Sequence, residues 1–198
     1  MKIKIQMKKY CKFLYAFPII AALIAHSSCK ADNFIKVNNN TVNQLDIHRY
    51  MGKWYEIARY DHSFEKGMNY VTAEYSLRED GKIRVFNKGI KNGKVKEIIG
   101  KGKQPNPQKY PGRLKVSFFL WFYGDYYIME LDKDYQYVLV GSNSDKYLWI
   151  LSRTPEMKKA QLDGLLKNIV QRGYDLSKLI FVKQHITSPI SELPKVGQ

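Results

Sequence analysis

The stretch Gly52-Lys53-Trp54-Tyr55-Glu56-Ile57-Ala58-Arg59-Tyr60 decides how this chain is read. It has the make-up of a first barrel strand entered through a tight turn. Gly52 lets the backbone turn sharply and approach other backbone closely. Trp54 supplies the largest apolar side chain available to plug one end of a barrel, with an indole N–H that needs a partner once buried. A matching cation stands far down the chain, in Trp149-Ile150-Leu151-Ser152-Arg153-Thr154-Pro155. A guanidinium stacked on an indole face would join the first and last strands and cover apolar surface. Gly52, Trp54 and Arg153 are therefore the expected structural floor of a closed barrel.

Outward from this stretch, breaks recur at Gly and Pro clusters. They separate strands expected at 53–60, 70–77, 82–90, 94–103, 112–119, 125–132, 135–142 and 147–152. Glu79-Asp80-Gly81, Lys91-Asn92-Gly93 and Asp132-Lys133-Asp134 are compact turns that favour antiparallel hairpins. Eight such strands predict an all-β fold, an antiparallel up-and-down barrel wide enough for one small ligand. After Pro155 the period changes. Met157, Leu162, Leu165, Leu166, Ile169 and Val170 fall near one face, predicting a helix packed outside the barrel, capped by Thr154 and ended by Gly173. Leu179-Ile180-Phe181-Val182 reads as a short final strand. Upstream, Asp46-Ile47-His48-Arg49-Tyr50-Met51 reads as a single helical turn capped by Asp46.

Gly52-Lys53-Trp54, with Arg153 just past the last barrel strand, resembles the lipocalin family. The segments 54–59, 71–77, 114–119 and 147–155 are similar, more closely, to the bacterial outer-membrane lipocalin lipoproteins, a branch akin to apolipoprotein D. The resemblance runs in order from about Asp46 to Gln184. It implies an eight-stranded lipocalin barrel with one C-terminal helix outside it, its bottom closed by the turn at 46–51. The connection around 65–69 would overhang the mouth. It also implies a protein, not an enzyme and without a cofactor, that stores or transports a fatty acid or lysophospholipid at the bacterial cell envelope.

Strand alternation then says what lines such a barrel. Val71, Ala73, Tyr75 and Leu77 share one parity; so do Ile83, Val85 and Asn87, then Ile98, Gly100 and Gly102, then Leu114, Val116 and Phe118, then Tyr147, Trp149 and Leu151. From Trp54, parity sends Glu56, Ala58 and Tyr60 inward. The strand near 125–132 is apolar on both faces, and its parity stays open. Gly100 and Gly102 thin the wall and are expected to leave room for an alkyl chain. The expected ligand-binding residues are Ala73, Tyr75, Val85, Ile98, Gly100, Val116, Phe118 and Trp149.

The chain opens with Lys2, Lys4, Lys8, Lys9 and Lys12, then an apolar run from Phe13 to Ala25, then His26-Ser27-Ser28-Cys29. That run is short for a bilayer span and fits a secretory signal. Small residues before a Cys resemble a bacterial lipobox, with His26 standing where the common pattern has an aliphatic residue. Cys11 lies within the leader, so Cys29 is the only Cys of the exported chain. Lipidation of Cys29 would remove an otherwise unpaired exported thiol. The expected organisation is residues 1–28 as signal peptide, 29–45 as flexible tether, 46–185 as barrel with helix, and 186–198 as disordered tail. The Cys29 lipid would hold the protein on the membrane.

Net charge is +15, and the leader's five Lys leave 28 cations against 18 carboxylates in the rest, a net +10. The Lys are scattered over strands and turns, and no recognition-helix, zinc-finger or RNA-binding sheet signature accompanies them, which argues against nucleic acid. Attraction to an anionic membrane is the competing consequence of such a surface. Catalytic signals are sparse. Beyond Cys29 the exported chain would hold no Cys, which rules out thiol chemistry in the barrel, and Ser117 and Ser152 lack an acid–base partner context. His48, His62 and His185 lack metal-ligand spacing, and no metal site is expected. Two alternatives to lipid carriage stand beside it. One is a haem or tetrapyrrole carrier using His48 or His62. The other is an enzyme on the same scaffold, needing a buried acid such as Glu56 or Glu130.

Overall fold

Gly52 takes φ +92, a conformation that L side chains rarely adopt, and a Cβ there would come within 3.3 Å of the Arg153 guanidinium. Only glycine turns the chain so closely under that cation. In a computed structural model that describes residues 37–184, it opens β1 (Gly52–Tyr60). Seven further strands follow antiparallel: β2 (Asn69–Leu77), β3 (Ile83–Lys91), β4 (Lys94–Lys103), β5 (Arg113–Phe119), β6 (Phe122–Leu131), β7 (Tyr137–Gly141) and β8 (Leu148–Ser152). Each pairs with the next, and β1 pairs with both β2 and β8, so the sheet closes. This is the eight-stranded up-and-down barrel that the turn signals predict. A ninth strand, β9 (Leu179–Phe181), adds to β1 from outside.

The register shifts in four strand pairs, and two of these shifts, in β1 and β6, move side chains between the inside and the outside of the barrel. The register of β1 against β8 shifts between Glu56 and Ala58. Trp54 and Glu56 point inward, but beyond the bulge it is Arg59, paired with Trp149, that faces the interior. Ala58 and Tyr60, expected inside, face out instead and join the core under the helix. A second shift, between Ile128 and Glu130, sends Tyr126, Ile128 and Leu131 inward and Met129 and Glu130 outward. That is why the sequence of β6 is apolar on both faces.

The core accordingly has two parts. Inside the barrel, Tyr50, Trp54, Tyr75, Ile83, Val85, Leu114, Ile128, Val138, Val140 and Leu151 pack together. Outside it, Ile57, Met129, Leu139, Leu148 and Ile150 meet α2 (Lys159–Gln171) through Leu165 and Ile169. The helix starts later than Thr154. Thr154 Oγ1 donates instead to the Glu156 carbonyl, and Lys158 occupies the N-cap without a side-chain hydrogen bond. Gly173, at φ +84, ends the run as expected. The turn α1 (Ile47–Tyr50) is capped by the Asp46 side chain, which accepts from the His48 and Arg49 amides.

Residues 37–45, expected as the end of a flexible tether, lie on the barrel. The Asn38 amide donates to the Arg172 carbonyl (2.8 Å), the Val42 amide to the Ile128 carbonyl (2.9 Å), and Val37 is buried against the helix-side core. Arg172 fastens the segment by donating to the carbonyls of Asn38 and Asn40, while its Nε pairs with Glu130. The segments expected as signal peptide (1–28, with His26) and as tail (186–198), together with Cys29 and His185, lie outside the described residues.

Candidate ligand-binding site

The floor forms as its residue types require. The Arg153 guanidinium sits 3.8 Å from the Trp54 ring centre. It donates to the carbonyls of Lys53 (2.9 Å), Arg49 (2.8 Å), Tyr50 (3.2 Å) and Tyr135 (3.2 Å), and the Trp54 indole N–H donates to the Tyr50 carbonyl at 2.9 Å. Carbonyls left over where α1 ends are thus satisfied by one cation. Above this floor, three tyrosine hydroxyls meet inside the barrel: Tyr50 and Tyr126 share a hydrogen bond of 2.6 Å, Tyr75 and Tyr126 one of 3.1 Å. Burial pushes all three hydroxyls well above the usual tyrosine range. They act as neutral hydrogen-bonding groups at any ordinary pH.

The eight expected lining residues fall into two levels. Tyr75, Val85 and Val116 line a small apolar hollow just above the floor, together with Tyr50, Ile83, Leu114 and Tyr126. Ala73 packs beside this group. Ile98, Phe118 and Trp149 stand higher, toward the open end, and Gly100 pairs with Val85 between the two levels. Ile98 and Phe118 have inward parity, yet are 47% and 39% exposed, so the apolar interior is open to solvent there. Gly100 does not leave empty space. A Cβ on it would come within 2.6 Å of the Phe118 ring and 2.7 Å of the Ser117 carbonyl. The thin wall is occupied by β5 itself, because glycine is what lets that strand and its phenyl ring lie so close.

A polar cluster at the mouth went unforeseen. Arg59, fully buried, donates from Nη1 to Glu56 Oε1 at 2.7 Å and from Nη2 to the Glu65 carbonyl at 2.7 Å. Longer contacts of 3.4 Å reach the Met68 carbonyl. It thereby ties the connection 61–68 over the barrel end. Glu65 Oε2 accepts from the Trp149 indole N–H at 3.1 Å and lies 2.9 Å from His62 Nε2. His62 stacks edgewise on Trp149, and Trp149 lies parallel to Tyr147. Burial would raise the Glu65 carboxyl, but His62, Trp149 and Arg59 outweigh it and hold it below the usual range. For Glu56, burial and the nearby Glu65 prevail over Arg59 and push it up to about 8. Spacing hid this pair. Residues three apart in a regular strand face opposite ways, and only the bulge turns both inward.

The other candidates are sorted by place. His48 is exposed on the floor turn, away from the interior. Glu130 is outside the barrel, accepting from Asn168 (2.7 Å) and pairing with Arg172 (2.9 Å); of the two acids named for an enzyme reading, Glu56 is the one buried inside. Beside Ile98, in the upper part of the lining, the Asn87 side-chain oxygen is buried without a hydrogen-bond partner. It is an acceptor facing the interior of an apolar barrel.

Comparison with known proteins agrees with this geometry. A family described as lipocalin-like domain matches residues 45–184. Outer membrane lipoprotein Blc of Vibrio cholerae is 46% identical over 146 residues, covering 72% of this chain and 85% of that protein. Apolipoprotein D of Cavia porcellus is 31% identical over 181 residues, covering 86% of this chain and 94% of that one. Among solved structures, lobster apocrustacyanin A1 superposes with a TM-score of 0.62 at 20% identity, over 83% of this chain and 98% of its own. Insecticyanin from the tobacco hornworm gives 0.61 at 23%, over 73% and 83%. At those identities the structures speak for the fold.

Proposed function

The chain belongs to the lipocalin family, and from that premise we propose that it binds a fatty acid or lysophospholipid in the barrel and stores or carries it at the bacterial cell envelope. One observation supports this most. An apolar interior rises from a sealed floor to an open end where Ile98 and Phe118 stay solvent-exposed and a buried cation, Arg59, sits at the rim. An alkyl chain would lie along Val85, Val116 and Ile98. Its anionic or polar head would stay near the mouth, where Arg59, His62 and Tyr147 gather. The curated relatives that bear the name outer membrane lipoprotein support the envelope as its place. Binding, not catalysis, is the role we assign. Each buried methylene contributes roughly 0.8 kcal/mol, so a long chain could reach micromolar affinity after association costs.

The test fills the mouth without disturbing the wall. Gly100 is unsuitable, since any side chain there meets β5 backbone. Ile98 has room on its exposed side. Ile98→Trp is expected to weaken binding of a fluorescent fatty acid at least about tenfold, or 1.4 kcal/mol, with an unchanged far-ultraviolet spectrum. Equal affinity in the folded variant would place the ligand elsewhere. A haem reading retains only His62 at the mouth. A haem absorption band in protein purified from its source, lost in His62→Ala, would favour it over lipid.

A further inference from the structure

We propose that the hairpin tip Phe119–Phe122 is a docking surface for an anionic lipid bilayer. Phe119 and Phe122 pair across a two-residue turn made by Leu120 and Trp121. All four side chains stand in solvent, at 69%, 55%, 71% and 67% exposure. A monomer rarely leaves so large an apolar group uncovered without a use for it.

The backbone points the same way. Leu120 sits at φ +50, where turns of this kind ordinarily take Gly, Asn or Asp. The neighbouring hairpin at the same barrel end shows the ordinary solution, with Asn92 at φ +52 and Gly93 at φ +70. At the β5–β6 turn a leucine occupies the strained position instead, and a tryptophan follows it. Such strain persists where the exposed side chains themselves are of use. The apolar surface continues onto β4. That strand meets β5 only through Lys101–Lys103, and Ile99, on its outer face, lies exposed beside the tip.

Charge selects the partner. The acids nearby are matched, Asp125 with Lys115 at 2.8 Å and Glu97 with Lys88 at 3.0 Å. Lys94 and Lys96 add cations at the start of β4, and the ammonium groups of Lys101 and Lys103 lie over the Tyr123 ring. A projecting aromatic wedge ringed by lysines suits a surface that is soft, apolar within and anionic outside. A rigid protein groove would have to be shaped around it. Because the tip lies at the open end, docking would bring the mouth to the bilayer. The inference stands whatever the barrel carries.

The experiment uses the full chain with vesicles of phosphatidylcholine, alone or mixed with phosphatidylglycerol. Trp121 is the exposed tryptophan, since Trp54 is buried and Trp149 half-buried. Subtracting the emission of Trp121→Phe isolates its signal. With anionic vesicles that signal is expected to shift to shorter wavelength and be quenched by brominated acyl chains. Leu120→Asp, which suits a positive φ, should lose the quenching and keep fatty-acid binding. If the vesicle-bound protein leaves Trp121 as open to aqueous acrylamide as the free protein does, the proposal fails. It fails equally if neutral and anionic vesicles quench alike. Concentration-dependent self-association in lipid-free buffer, abolished by Leu120→Asp, would assign the tip to a second copy instead.

Discussion

Arg153 combines a cation–π contact with four carbonyl acceptors, and these set the size of its effect. Trp54→Ala should destabilise by about 3–5 kcal/mol in urea unfolding, as large aromatic truncations in cores do. Arg153→Ala removes the ring contact and strands carbonyls together, so about 2–3 kcal/mol is expected. Arg153→Lys should recover little of it, because an ammonium cannot span the carbonyls a guanidinium fork reaches. At the other end of the barrel, Glu56 makes stability depend on pH. Its folded value is raised to about 8, so between the ordinary glutamate range and pH 8 the folded state holds a proton that the unfolded state has released. Stability contributed by the protonated form is full at low pH and falls as pH rises through that window. Glu56→Gln, which can still accept from Arg59, is expected to flatten the decline between pH 5 and pH 8 in denaturant midpoints. A wild type whose midpoint rises with pH over that range would overturn the assignment. The floor was legible in sequence because Trp54 and Arg153 keep their faces under simple alternation. The mouth was not, because Glu56 and Arg59 share the interior only through a bulge, for which Glu-Ile-Ala-Arg carries no glycine or other marker.

At the level of elements, turn chemistry carried the architecture. The Asn92-Gly93 and Asp80-Gly81 turns fixed hairpins, and strand ends came out close to expectation wherever such turns flank them. The largest difference is β6, which begins at Phe122, because a turn built from Leu120 and Trp121 has none of the usual residues. The start of α2 differs from expectation for a related reason. Thr154-Pro155 has the form of a helix start, but Thr154 spends its hydroxyl on the Glu156 carbonyl, and the helix begins at Lys159. A lysine at the N-cap neither accepts from the first amides nor suits the positive end of the helix dipole. Lys158→Asp should therefore raise stability by about 0.5–2 kcal/mol, measured in urea. An unchanged or lower midpoint would show that Lys158 serves α2 in some other way. Closure of the barrel also uses a side chain that alternation cannot reveal. Where β1 leaves β2 for β9, Gln184 donates to the carbonyls of Glu56 (2.6 Å) and Val71 (2.8 Å) and fills the gap between the diverging strands.

For the whole molecule, a lipid on Cys29 would set how far the barrel could stand from a membrane, through the length of chain between Cys29 and the barrel. Val37 is already buried on the helix-side core, so seven residues, 30–36, separate it from Cys29. Even fully extended, they reach no more than about 28 Å. A lipid on Cys29 would hold this barrel nearer the surface than the flexible tether expected over 29–45 would. Two attractions to the membrane then differ in kind. The net +10 of residues 29–198 is screened at high salt, where the Debye length falls to about 3 Å. Acyl chains are indifferent to salt, and more than one of them anchors stably. Membrane-bound wild-type protein is therefore expected to resist a salt wash of about 1 M. Cys29→Ala should give an uncleaved precursor or a released chain, with no acylated form. Metabolic labelling with a tagged fatty acid reads this directly. Label in wild type and none in the variant is the expected pattern. Equal label in both would move the modification off Cys29, and no label in either would mean that His26 breaks the lipobox.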